Sequence, residues 1–130
     1  MKTKALVFTL FAILIAVLAG CTTPVAIDPQ TGREQTARFT AGNFYAPIDA
    51  EAGNIFRVAI REMDKMGYFR TGEIHQDTYI TIFARAVGDK KVTVRITQLA
   101  PGQCELRIRI GKFGDLPESQ QVYAAIRNAI

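Results

Sequence analysis

From Lys91 onward the chain carries a strict two-residue alternation that leaves little choice of fold. Val92, Val94 and Ile96 alternate with Lys91, Thr93 and Arg95. After Pro101-Gly102 the pattern resumes, with Leu106, Ile108 and Ile110 alternating with Glu105, Arg107 and Arg109. Successive side chains of a strand point to opposite faces, so each segment is a strand with one apolar and one wet face. A slip of one residue would turn the whole apolar set into water, which holds the register tightly. Such a hairpin cannot bury its own apolar face, and other elements must cover it.

Two helical stretches supply that cover. Ala52, Ile55, Phe56, Ala59, Ile60, Met63 and Met66 recur at three- and four-residue steps, which predicts a helix capped by Asp49 and ended near Met66 by Gly67. A closing helix from about Leu116 to Ile130 carries Val122, Ile126, Ala129 and Ile130 as its stripe. The remaining strands are Ala37 to Ala46, with a bulge at Ala41-Gly42-Asn43, then Tyr68 to Ile74 and Thr78 to Val87, separated or bent at His75-Gln76-Asp77. Gly88-Asp89-Lys90 turns into Lys91 to Leu99, and Pro101-Gly102 into Cys104 to Gly111. The expected class is α+β: a β-α-β-β-β-α order forming a mainly antiparallel sheet with two helices packed on one face. A chain of 130 residues has room for one such domain, placed at 37–130.

The front end differs in character. Lys2 and Lys4 precede Ala5 to Gly20, which is apolar except for Thr9. Sixteen residues are short for a bilayer span, which needs roughly 20, and the order of charge followed by apolar run is that of an export signal. Leu18-Ala19-Gly20-Cys21 resembles the lipobox of bacterial lipoproteins. That resemblance implies that residues 1–20 are a cleaved signal peptide and that Cys21 is the lipid attachment site. Residues 21–36, with two prolines and the Asp28-Pro29-Gln30-Thr31-Gly32 turn signal, then form a flexible tether spanning about 20 Å. An ordinary signal peptide ending near a cysteine, or a retained single-span anchor, are the alternatives. Thr22 stands where an inner-membrane retention signal has Asp, so resemblance to lipoproteins of two-membrane bacteria places the chain on the outer membrane, facing the periplasm. With Cys21 acylated, Cys104 has no intrachain partner, and its place on the apolar face of its strand predicts a buried, unreactive thiol.

Charged residues at 22% and hydrophobic residues at 48% describe a folded domain. The net charge of +4 falls to +2 without Lys2 and Lys4, and export separates the chain from nucleic acid, so that partner is not expected. Chemistry is sparse. No serine-hydrolase elbow, phosphate-binding loop or metalloprotease motif is present, which leaves no catalytic residue, no metal site and no cofactor to nominate. His75, the single histidine, reads as an exposed turn residue, since one imidazole cannot make a multi-ligand zinc site. Asp49, Glu62, Asp64, Asp115 and Glu118 fall on caps and helix surfaces. The wet face of the sheet is more suggestive. Arg95, Arg107 and Arg109, joined by Lys91 and Arg85, form a basic stripe that is either a solvated face or a docking place for an envelope protein or an anionic lipid. Tyr79 and Phe83 fall near that stripe, and Phe44-Tyr45 near an edge.

Ile108 to Asp115, followed by Ser119, Val122, Tyr123 and Ile126, resembles the closing motif of the domain of unknown function 3568 family of small bacterial lipoproteins. Tyr45 to Phe69 and Ala84 to Ile96 resemble that family too. The resemblance implies fold and address, not activity. Within the motif, Asp115 and Glu118 suit a reciprocal capping pair, Pro117 fits a first helical turn, and Gly111 and Gly114 suit a strand-to-helix turn. A phosphate cradle at this helix start is the other reading, and Asp115 argues against it. The expected role is a membrane-anchored, non-enzymatic envelope binding or structural module. A periplasmic carrier of lipid or anionic ligand is the alternative, and a small hydrolase the third.

Overall fold

The computed structural model describes residues 37–130, together with Thr3 and Lys4. Cys21, the rest of the proposed signal peptide and the tether at 22–36 lie outside the described residues. The elements in chain order are β1 (Arg38–Thr40), β2 (Asn43–Ile48), α1 (Ala52–Lys65), β3 (Phe69–His75), β4 (Tyr79–Ala86), β5 (Lys90–Ala100), β6 (Gln103–Ile110) and α2 (Leu116–Asn128). They build one sheet of six strands in the order β1-β2-β6-β5-β4-β3, antiparallel at every step. Both helices cover the same face, α1 over β3, β4 and β5, and α2 over β2 and β6. The class is α+β with the antiparallel sheet and helical cover that the alternation demanded.

That alternation settles the core. Val92 lies opposite Ile110, Val94 opposite Ile108 and Ile96 opposite Leu106, all six buried beneath the helices. Helix α1 inserts Ile55, Val58, Ala59 and Met63, and α2 inserts Val122, Tyr123 and Ile126. Helix α1 ends in paired turns made possible by Gly67 at φ +82°: the Tyr68 amide donates to the Met63 carbonyl and the Gly67 amide to that of Asp64, each at 3.0 Å. From the middle of α2 the Tyr123 hydroxyl donates to the Pro47 carbonyl at 2.8 Å, tying helix to strand.

Several expectations need correction. Residues 37–46 are not one bulged strand but two short ones, because Ala41 and Gly42 both adopt positive φ (51° and 79°) and reverse the chain in a two-residue turn. Of the two readings of the segment 68–87, separated rather than bent is the one observed, as two paired strands; His75 ends β3 rather than sitting in a turn, and the sheet has two strands more than the β-α-β-β-β-α order. Asp49 does not cap α1. The N-cap is Glu51, whose side chain makes no capping bond; instead Gln98 on β5 accepts from the Ala52 amide at 2.9 Å. A cross-strand amide thus does the work that a local side chain usually does. Asp115 caps α2 as expected, accepting from the Glu118 amide at 3.0 Å. Glu118 does not reciprocate. Its carboxylate accepts instead from the Tyr68 hydroxyl (2.9 Å) and Lys90 (2.8 Å), joining α2 to the start of β3 and of β5. Helix α2 stops at Asn128, short of Ile130.

Candidate functional site

The face of the sheet turned away from the helices carries six basic side chains on its strands, Arg38, Arg85, Lys91, Arg95, Arg107 and Arg109, against one acid, Glu105. The pleat puts them there. On β5 and β6 the residues between the buried ones must point outward, and the antiparallel register then sets Arg95 directly opposite Arg107, and Thr93 opposite Arg109. The row continues on both sides. Tyr45 and Arg38 extend it toward β1, and Thr81 toward β4.

Their partners distinguish these cations. Arg38 lies 3.6 Å from the Glu105 carboxylate and 4.4 Å over the Tyr45 ring. Arg95 stacks 4.5 Å over Tyr79 and donates to the Thr81 hydroxyl at 3.1 Å. Arg85 reaches Asp89. Among the described residues, no carboxylate pairs with Arg95, Arg107 or Lys91. Two like charges directly opposite one another destabilise a sheet. The pair Arg95 and Arg107 therefore opposes folding slightly, and a bound anion would relieve it.

Arg109 does something else. Its guanidinium donates to the Ala41 carbonyl at 2.7 Å and the Lys112 carbonyl at 2.6 Å, clamping the β1–β2 turn to the loop before α2. The backbones meet so closely there that a Cβ on Gly114 would lie 2.1 Å from the Gly42 oxygen. The glycines and the arginine of the closing motif thus serve a structural junction. Of the three arginines singled out from sequence, the structure brings Arg95 and Arg107 side by side as half-buried cations without a carboxylate and places Arg109 beside them with its donors engaged.

Between the β4–β5 turn and the end of β6 lies a groove of about 530 Å³ lined by Arg85, Lys90, Lys91, Arg109 and Lys112, with Asp89 its single acid. A shallower recess of about 330 Å³, lined by Phe83, Arg85, Lys91 and Thr93, adjoins it. Both open on the outer face. Lys112 was missed from sequence because it sits past the alternating strand, in the loop that Gly111 starts at φ +74°. Phe83 does face outward beside the stripe, and Tyr79 joins it through Arg95. Phe44 does not lie exposed at an edge: it is fully buried, its ring centroid 5.7 Å from that of Tyr123.

The remaining chemistry-bearing groups are occupied structurally. His75 packs edge-on against Phe56 at 4.9 Å and lies 3.2 Å from Glu73. Cys104 is a buried free thiol, its Sγ donating to Gln98 Oε1 at 3.3 Å; burial, with the Glu51 carboxylate adding to it, pushes its pKa up to about 11. Burial also raises the Tyr68 hydroxyl well above its ordinary range, reinforced by the bond to Glu118. Among the described residues no group of three or more His, Cys, Asp or Glu side chains is placed to hold a metal ion, and no helix is long and apolar enough to cross a membrane.

Compared with known proteins, residues 4–129 match the model of a family described as protein of unknown function (DUF3568). No curated protein matches the chain.

Proposed function

Because the chain belongs to the DUF3568 family, whose description assigns no activity, we propose its role from its own residues: a lipid-anchored, non-enzymatic module of the bacterial envelope that engages an anionic envelope component through the outer face of its sheet. Cys21 is the anchor, acylated after removal of residues 1–20. Residues 22–36 tether the domain within about 20 Å of the lipid, on the outer membrane facing the periplasm where the cell has one. The observation that carries the docking role is the set Lys91, Arg95 and Arg107 on one face, Lys91 exposed and the two arginines half-buried, without a carboxylate partner among the described residues. Isolated surface cations cost a fold little, but two arginines placed opposite one another are a local penalty, offset only in part by the contacts of Arg95 with Tyr79 and Thr81.

The carrier reading has less support. The two grooves next to the cations open on the outer face, while the helix-facing side of the sheet is filled by Ile82, Val94, Ile96, Leu106 and Ile108, each fully buried.

In-cell crosslinking of the native chain tests the docking role. Replacing Lys91, Arg95 and Arg107 together by Ser is expected to abolish most crosslinks to the outer face while leaving the thermal midpoint within a few degrees. An unaltered crosslink pattern in that variant contradicts the assignment. Cys21→Ser is expected to release the chain from the membrane fraction.

A further inference from the structure

One end of the sheet differs chemically from the other. At the β4–β5 turn Val87 is 90% exposed, and in the loop after β6 Phe113 is 82% exposed. These two residues flank, in the chain, the segments that line the basic groove: Val87 precedes Gly88 to Lys91, and Phe113 follows Gly111 and Lys112. Phe69, 73% exposed, lies opposite Arg85 at the same end. Lys112 Nζ sits 5.6 Å over the Phe113 ring, holding cation and aromatic together. At the opposite end of β5 the exposed apolar residue is Leu99, and the neighbouring turn holds a carboxylate, Glu51, which accepts from the Gly102 amide.

We propose that the end of the sheet bearing Val87, Lys91, Lys112 and Phe113 docks on the anionic lipid surface that holds the chain. Val87 and Phe113 enter the headgroup layer, and the groove cations meet lipid phosphates. This rests on the lipid-anchored reading and specifies the anionic component that the outer face meets. A lipid surface fits better than a protein for two reasons. Val87 and Phe113 belong to separate loops, and each adjoins in the chain residues of a groove that carries five cations and one acid; a layer of phosphates over hydrocarbon satisfies both at once. Scattered exposed apolar residues need no explanation alone. Here they coincide, at one end of the sheet, with a groove of five cations and one acid, Asp89.

The chain contains no tryptophan, so a single introduced one is a clean reporter. The full acylated chain, carrying Phe113→Trp, Val87→Trp or Leu99→Trp, is reconstituted in vesicles of phosphatidylethanolamine with phosphatidylglycerol, and separately in phosphatidylcholine. Expected in the anionic vesicles are a blue-shifted emission and quenching by brominated lipid for the reporters at 113 and 87, and neither for the reporter at 99. Lys91→Ser or Lys112→Ser in the Phe113→Trp background is expected to shift the docked equilibrium about fivefold toward the free state, the loss of about 1 kcal/mol per cation at an anionic surface. High salt does the same. Reporters at 113 and 87 that remain as water-exposed in anionic vesicles as in phosphatidylcholine overturn the proposal, and so does equal quenching at 99. Shielding that requires native envelope protein, and never vesicles alone, assigns the end to a protein instead. Intact mass of the same sample reads acylation separately: an unacylated chain that still shows quenching at 113 refutes the anchor and keeps the docking.

Discussion

Cys104 shows how burial at one residue sets a measurable behaviour. Its thiol is 1% exposed and its pKa is raised to about 11 from an ordinary 9.0. The thiolate is the reactive form, so alkylation near neutral pH should require global opening. The expected result is a labelling rate that tracks unfolding across a denaturant series; fast labelling in native buffer would contradict it. The pH dependence has a definite sign. A thiol whose folded pKa lies above its unfolded value stays neutral in the fold while the unfolded chain ionises, so stability is flat below about pH 9 and falls between 9 and 11. Tyr68, with its pKa raised, and Lys90, raised by Glu118, both act in the same direction at higher pH. Alkaline lability should therefore start near pH 9 in the native chain and later in Cys104→Ala, read as denaturant midpoint against pH. Ser119 makes the converse case. Its hydroxyl is buried with no hydrogen-bond partner among the described residues. Removing an unsatisfied buried group is neutral or favourable, so Ser119→Ala should leave stability unchanged or raise it by up to about 1 kcal/mol. A loss beyond that range would mean the hydroxyl has a partner.

Among the elements, the junction between the β1–β2 turn and the loop before α2 is the most demanding. Gly114 sits at φ +83°, and an added Cβ would run into the Gly42 backbone. Gly114→Ala is thus expected to destabilise by more than about 2 kcal/mol, combining conformational strain with a backbone clash. Gly72 in β3 has open space around it and no positive φ, so Gly72→Ala should stay within about 1 kcal/mol of native. Equal effects at the two sites would show that the junction is loose. Ile126 on α2 is fully buried, and Ile126→Ala should cost about 2–5 kcal/mol by leaving a cavity. A denaturant midpoint unmoved by that substitution would mean that α2 does not cover the sheet.

The same junction marks the limit of what the sequence discloses. Strands β5 and β6 and both helices are legible because each repeats its periodicity over several residues. The two-residue turn at Ala41-Gly42 is not, because Ala41 adopts a left-handed conformation that alanine seldom takes, and what holds it is Arg109, 68 positions away. The α1 cap is not legible locally for a similar reason: Gln98, on strand β5, supplies it. Arg95 and Arg107 were legible as outward-facing residues. That they would stand opposite each other without carboxylates, while Arg109 would be consumed by backbone carbonyls, depends on register and loop geometry that no local pattern encodes.

At the scale of the whole molecule, the sheet divides the protein into a packed side and a cationic side. Both helices bind one face, so the other is left open to water with its charge unbalanced, and one end of that face adds exposed apolar residues to the cations. On the proposed lipid tether such a body would meet the membrane often. Its apolar and charged features would then act near a surface of opposite charge and complementary texture. Address, tether and face make sense together only if the anchor exists.

Intact mass of the protein isolated from its own cells measures that anchor most directly. The account predicts a mature chain that begins at Cys21 and carries the added mass of its acyl chains, with Cys21→Ser lacking both processing and lipid. A chain accumulating with residues 1–20 still attached, or one cleaved at that point with an unmodified cysteine, would contradict it.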